Sequence, residues 1–377
     1  MIQAGKPILN EFLGRKKQRD ELNLMLRLGQ SVVLYAPRRH GKTSLINRVL
    51  ADLDDGTLCI SIDIMSIPNK RVLSEVIIDK CYELLGIKGF ALNSLRGIGK
   101  TIKDITNFIA SYGLKVEDFE LSTSEKLLKD SDEEELFAHA LSLPQIIASK
   151  LNKKLIFAID ELGEIRDFKD YHFILKQMRT SFQHQEDVIY LFAGSQHSVI
   201  GSIFRDSSSA FYKFAQMIEL KPMKANDFEE YFNSLFSNYE IKLCESFTKE
   251  VVKIGNGIPY YIIKIANNIL FNALLSKQNY INKFSILKAT LGVYKSEEQY
   301  FQIELAKFRG KRYQQKLLTA FAFDYSSKEA SQYASLEYSN SQREIKVLLN
   351  SGILSKSTHG KYYITDPFLE IYLKKSR

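Results

Sequence analysis

The chain has 377 residues, 45% of them apolar and 25% charged, with only 19 Gly and 7 Pro, which excludes disordered, collagen-like and low-complexity classes. Its length exceeds what one hydrophobic core usually serves, so two to three domains are expected. Apolar runs stop far short of the ~20 residues of a membrane helix. The opening segment is charged where a signal peptide is apolar, and the three cysteines (Cys59, Cys81, Cys244) are too scattered for a disulfide framework or a Cys-based metal site. A soluble cytoplasmic protein with no membrane contact is expected.

Basic residues outnumber acidic ones by 52 to 44, and residues 301–377 alone hold 13 Lys/Arg against 7 Asp/Glu. A basic end module beside a nearly neutral body fits a polyanionic partner or, equally, a solvated face.

In chain order, SVVLYA (31–36) predicts a strand, followed by a loop and the helical pattern TSLINRVLADL. TLCISIDI (57–64) predicts a second strand and 71–85 an amphipathic helix. Residues 86–131, interrupted by Gly86, Gly89, Gly97, Gly99 and Gly113, have the look of an insertion. The pattern of 133–152 predicts a helix broken or bent at Pro144. KLIFAIDE (154–161) and VIYLFAGS (188–195) read as buried strands, and MIELKPM (217–223) as a last one. Alternating strands and helices predict a parallel sheet covered on both faces, an α/β fold.

Beyond Pro222 only helices are expected. One starts at a capping-box-like Asn226…Glu229 and runs to about 236, and others cover 245–254, 258–276 and 281–301. The last segment orders as QQKLLTAFAF, a short helix near 328–334, NSQREIKVLLNSG, and two short strands in ILSKSTHGKYYITD. That is the order of a winged helix-turn-helix. The expected division is a core over 1–222, a helical lid over 223–301 and a winged helix over 302–377.

Residues 36–43, APRRHGKT, fit the phosphate-loop pattern GxxxxGK[ST] with Ala36 in place of the first Gly, between a strand and a helix as that chemistry requires. Backbone N–H groups across Ala36, Pro37, Arg38, Arg39, His40 and Gly41 and the helix start through Ser44 would face phosphates, less Pro37, which has no N–H. Lys42 would reach the β- and γ-phosphates of ATP and Thr43 would offer a hydroxyl to Mg²⁺. The string LIFAIDE closes a buried strand with Asp160, a magnesium-holding carboxylate, and Glu161, a general base toward water. Asp63 ends the second strand as either a magnesium-side carboxylate or a loop cap. Arg205 is a candidate arginine finger or a surface charge. The six histidines give no metal-ligand spacing, AGSQHS is no hydrolase elbow, and no GxGxxG follows the first strand.

FLGRKKQRDEL, YAPRRHGKTSL, LIFAIDELGEI, LFAGSQHSVI, SSAFYKFA, GNGIPYYI and KYYITDPFLEIYL occur in that order over residues 10–373. Together they resemble the prokaryotic, archaeal-type P-loop ATPase family of the STAND/AAA+ class. The resemblance implies a P-loop core, helical lid and winged helix, with Gly14-Arg15 and Gly257-Ile258-Pro259 flanking the nucleotide. Ser195 and Gln196 stand where such ATPases place a polar residue that senses the γ-phosphate; the alternative is a plain Ser/Gly turn after the strand. The chain departs from the pattern at Ala36 and at Lys213-Phe214, where an archaeal-type Gly-Arg would follow.

The expected activity is a Mg²⁺-dependent ATP hydrolysis that switches the arrangement of core, lid and winged helix. Two outputs fit. One is double-stranded DNA, met by Arg343 and Lys346 on the third helix of the module and by Lys356 and Lys361 in its hairpin. The other is a protein partner or a second copy of the chain.

Overall fold

The computed structural model describes residues 4, 14–53, 56–86, 133–195, 197–357 and 360–375. The insertion expected after Gly86 and the candidate Gln196 lie outside the described residues.

The strands β1 (Val32–Tyr35), β2 (Leu58–Asp63), β3 (Leu155–Asp160), β4 (Val188–Gly194) and β5 (Gln216–Glu219) form one sheet in the order β2-β3-β4-β1-β5. Every pairing is parallel. The three inner strands are buried at every position and the two edge strands are not, as a sheet covered on both faces requires.

Alternate residues feed two apolar layers. Val33, Ile60, Phe157, Ile159, Tyr190 and Phe192 face a cluster closed by α3 (Lys70–Glu83), α4 (Glu133–Leu151), α5 (Tyr171–Phe182) and α6 (His197–Phe204). Val32, Leu34, Ile156, Ala158, Leu191 and Ala193 face Leu22 and Leu26 of α1 (Lys16–Arg27) and Leu45, Ile46 and Val49 of α2 (Lys42–Ala51).

Of the two outcomes expected at Pro144, a break is overturned: α4 runs through it as one helix. Its buried face, with Leu136, Ala140, Leu143 and Ile147, packs in the same cluster as α3. In the same stretch Ser142 Oγ donates to the His139 carbonyl (2.8 Å) and Gln185 Nε2 to that of Leu141 (2.7 Å). Packing of that face offsets the backbone bond to the Ala140 carbonyl that proline removes.

Helices make up most of the rest: α7 (Glu229–Ser237), α8 (Phe247–Ile254), α9 (Pro259–Leu275), α10 (Lys283–Ala306), α11 (Arg312–Ala322), α12 (Ser327–Ala334), α13 (Tyr338–Asn350) and α14 (Pro367–Lys375). Where the sequence reading expects only helices, two short strands, β6 (Lys242–Leu243) and β7 (Tyr280–Ile281), pair in parallel. α7 starts later than Asn226, because Ala225–Asp227 is a 3₁₀ turn in which Asp227 Oδ2 accepts from Lys224 N at 2.7 Å. α11, α12 and α13 followed by the antiparallel hairpin of β8 (Leu354–Lys356) and β9 (Tyr362–Ile364) keep the element order of a winged helix-turn-helix. One apolar cluster runs from Met223 to Leu373, with Phe368 stacked on Tyr261 (4.5 Å between centroids) and Phe301 against Tyr372 (5.7 Å). The C-terminal half therefore packs as one body. No described helix is long and apolar enough to cross a membrane.

Candidate nucleotide site

The loop Ala36–Gly41 leaves the carboxyl end of β1, the inner strand flanked by β4 and β5, and enters α2. Gly41 caps α2 at φ 84°, where only glycine is unstrained, and an added Cβ there would meet nothing nearer than Pro259 Cγ at 3.9 Å. Ala36 lies outside the positive-φ residues, so a side chain in place of the pattern's first Gly carries no backbone strain. Arg39 does have positive φ, 70°.

Lys42 is buried, and its Nζ donates to the Ala36 carbonyl at 3.0 Å and pairs with Glu161 at 3.6 Å. Burial lowers the Lys42 ammonium pKa, opposed by Glu161 and Asp160. Thr43 Oγ1 donates to Asp160 Oδ2 at 2.6 Å, joining two motifs 117 residues apart. Burial raises the Asp160 carboxyl, with the Thr43 hydrogen bond acting against it. Asp160 Oδ1 also accepts from Glu161 N at 2.9 Å, and Glu161 itself is left-handed at φ 48°. Ser195, at the end of β4, holds Glu161 from the other side: its N–H and Oγ both donate to Glu161 Oε2, at 3.0 and 2.7 Å. Ser44 lies in the first turn of α2.

The flanking residues close over the loop. Arg15 is buried and its Nη2 donates to the His40 carbonyl at 3.1 Å, while burial lowers its pKa to about 10. Burial likewise lowers His40 to about 4, and its Nδ1 meets the Arg38 carbonyl at 3.1 Å. Gly14 and Gly257 both press on the Leu220–Asp227 connection; a Cβ on Gly14 would meet Met223 Cε at 2.6 Å, and one on Gly257 the Met223 carbonyl at 2.8 Å. Pro259 is the first residue of α9.

Two candidates, Asp63 and Arg205, take partners outside this cluster. Asp63 is opposite Asp160 in register but accepts from Met65 N at 2.9 Å, which is the loop-cap alternative. Arg205 donates to the Tyr35 hydroxyl at 2.8 Å and meets Met217 Sδ at 3.2 Å, away from Lys42 and Glu161. Lys213 lies over the Tyr212 ring. In the C-terminal module Arg343 and Lys346 are exposed on α13, Lys356 lies over Tyr362, and Lys361 is paired with Asp324 at 3.0 Å.

Sequence reasoning missed the partners of the loop arginines. Arg38 pairs with Glu164 at 3.1 Å. Arg39 reaches Asp366 Oδ2 at 2.6 Å, the Tyr261 hydroxyl, and Glu297 at 3.6 Å, with the Tyr260 ring beneath it. Burial acts to lower its pKa, but Tyr261, Asp366, Glu297 and Tyr260 outweigh burial and raise it. Tyr260, Tyr261 and Asp366 fall inside the strings GNGIPYYI and KYYITDPFLEIYL; Glu297 had no sequence signal beyond an acidic residue on a helix.

Among the described residues no three His, Cys, Asp or Glu cluster for a metal. The oxygen pair of Thr43 and Asp160 nevertheless suits magnesium, which takes one or two protein oxygens and completes its shell from phosphate and water.

No protein-family model matches the chain, and no curated protein sequence matches it. Among solved structures it is similar to a Walker-type ATPase of Pyrococcus abyssi, at 18% identity and TM-score 0.70 over 98% of both chains. It is also similar to the ORC2 protein of Aeropyrum pernix in its ADPNP-ADP complexes, at 11% identity and TM-score 0.60 over 98% of this chain and 94% of that one. A third similarity is to the ORC1 protein of the same organism in complex with DNA, at 12% identity and TM-score 0.51 over 97% and 94%. With the parallel strand order, these likenesses make the fold an α/β P-loop NTPase of AAA+ type.

Proposed function

We propose that the chain binds ATP with Mg²⁺, hydrolyses the β–γ phosphoanhydride, and uses the nucleotide state to set how its C-terminal half meets DNA. The observation that carries this reading is the convergence of Lys42, Thr43, Asp160, Glu161 and Ser195, drawn from three strand ends, within hydrogen-bond or ion-pair reach of one another.

Gly41 and the α2 N-terminus present backbone N–H groups to phosphate, and Lys42 exchanges Glu161 for a phosphate oxygen. Thr43 and Asp160 would hold the magnesium, which when bound neutralises charge on the phosphates. Glu161 takes the proton of the attacking water. Ser195 fixes its carboxylate until then, leaving one oxygen for that task. Pro259, Gly14 and Arg15 border the nucleotide. Arg205, held on Tyr35, serves a nucleotide only if it is released or if it acts on another copy. The working division is core 1–222, lid 223–301 and winged helix 302–377, in the cytoplasm.

DNA is favoured as the output by the exposed Arg343 and Lys346 on α13 and by the basic balance of residues 301–377. The ion pair of Lys361 with Asp324 and the exposure of Tyr338 and Val347 on α13 favour the second reading, a protein partner. ATP turnover measured with and without duplex DNA across a salt series tests both. Turnover that responds to DNA at ~50 mM salt and loses the response as salt rises supports DNA. Turnover indifferent to DNA, with no duplex binding, promotes the protein partner. Absence of turnover removes the hydrolase reading.

A further inference from the structure

Each cation of the phosphate loop already holds a carboxylate: Lys42 that of Glu161, Arg38 that of Glu164, and Arg39 those of Asp366 and Glu297. The first two partners belong to the core. The partners of Arg39 belong to the C-terminal half, with Asp366 at the start of α14 and Glu297 in the middle of α10. Asp366 Oδ1 caps α14, accepting from Phe368 N and Leu369 N at 2.9 and 3.1 Å, so Oδ2 is left for Arg39 and the Tyr261 hydroxyl. Glu297 is fully buried; Oε1 takes Tyr260 and Lys264, and Oε2 has no hydrogen-bond partner, only the Arg39 guanidinium at 3.6 Å. A second contact joins the two halves, where α13 packs against α6, the helix that follows Ser195. The helix that carries Arg343 and Lys346 is thereby held on the core.

We propose that Arg39 is a latch between the phosphate loop and the body Met223–Leu373, opened by polyphosphate at the loop, a reading that rests on the nucleotide function proposed above. A polyphosphate in the loop offers the guanidinium a competing anion and brings like charge up to Asp366 and Glu297. The left-handed backbone of Arg39, φ 70°, is strained, so a loop rearrangement that moves it also relieves that strain. Since the apolar cluster joins lid and module, the C-terminal half moves as a unit and α13 leaves α6 with it. If nucleotide opens the latch, weakening the latch must tighten nucleotide by the same coupling.

Two variants of the full chain separate the outcomes. Asp366→Asn keeps an oxygen for capping α14 while removing the charge that holds Arg39. Tyr261→Phe removes the hydroxyl between Arg39 and Asp366 without changing any charge. Hydrogen exchange read by mass spectrometry, with and without Mg-ATP, should show residues 36–46 slowing in the unmodified chain while 197–204 and 338–350 speed up. In Asp366→Asn those two helices should exchange fast before nucleotide is added. ATP affinity by calorimetry should rise about threefold to thirtyfold in Asp366→Asn, and less, in the same direction, in Tyr261→Phe. If the loop slows on ATP while both helices and both affinities stay unchanged, the latch is overturned and the nucleotide reading stands. A gain confined to Asp366→Asn, without faster helices, reduces Asp366 to a local charge effect and also overturns the latch. An unmodified chain that binds no ATP overturns the nucleotide reading and the latch with it. Should Asp366→Asn fail to fold, Tyr261→Phe gives the same decision.

Discussion

Lys42 and Arg39 stand three residues apart on one loop and take opposite kinds of partner. Lys42 is enclosed by carbonyls of its own loop and by Glu161, at the end of β3, which is separated from β1 by β4 in the same sheet. Arg39 is enclosed by side chains from 222 to 327 residues further along the chain. The difference teaches that one short loop carries two duties. Its buried side carries the proposed phosphate chemistry, and its outer side joins the core to the rest of the molecule.

The sharpest way to break the comparison is at Glu161, which belongs wholly to the chemical side. Glu161→Gln keeps the shape, so ATP binding should persist while turnover falls by roughly 10²–10⁴ in a steady-state assay. Turnover at the unmodified rate would move the base elsewhere. Next in size is a pH effect within the loop. The folded pKa of His40, about 4, lies below its ordinary 6.5, so the unfolded chain takes up the proton first as the pH falls. The stability associated with neutral His40 is complete above pH 6.5 and is lost toward pH 4, by about 3 kcal/mol in all. Urea unfolding at several pH values should show that fall, and His40→Asn should flatten it.

The comparison itself is tested by removing each cation in turn. Lys42→Ala should weaken ATP about tenfold to a hundredfold by calorimetry. Its unfolding midpoint should hardly change, since Ser195 still binds Glu161. Arg39→Ala should instead lower stability by about 1–3 kcal/mol in urea, because the fully buried Glu297 loses the cation facing its second oxygen. Equal effects of the two substitutions on both measurements would erase the distinction. The smallest effect is the most remote from the loop. Replacing Arg343 and Lys346 by Ala should flatten the salt dependence of duplex binding by up to about two units of slope, with turnover in the absence of DNA unchanged.

Legibility followed the range of the interactions. The strand–loop–helix around Lys42 and the strand ending in Asp160 and Glu161 are local patterns, and the sheet brings them together because parallel strands share one carboxyl edge. Ser195 was legible for the same reason, though its grip on Glu161 was not. Arg39 and Asp366 left no trace in periodicity, since their contact depends on how the C-terminal half docks. At Pro144 a local rule misled, because the packing of α4 on α3 outweighs one backbone bond. At Ala36 the rule for glycine was stricter than the backbone needs, as φ there is not positive.

The strand order also dictates when this loop can acquire its shape during synthesis. Val32 of β1 pairs with Leu191 on one side and Gln216 on the other, so the strand that launches the loop is made long before either neighbour. At ribosomal rates of roughly 5–20 residues per second, β1 waits about 8–30 s for its first partner. Until β4 emerges, an apolar strand and a loop with three cations have no sheet to join. The nascent chain is therefore most open to misassociation before residue 191 leaves the ribosome, and a pause engineered downstream of β4 should improve recovery of folded protein more than one placed upstream.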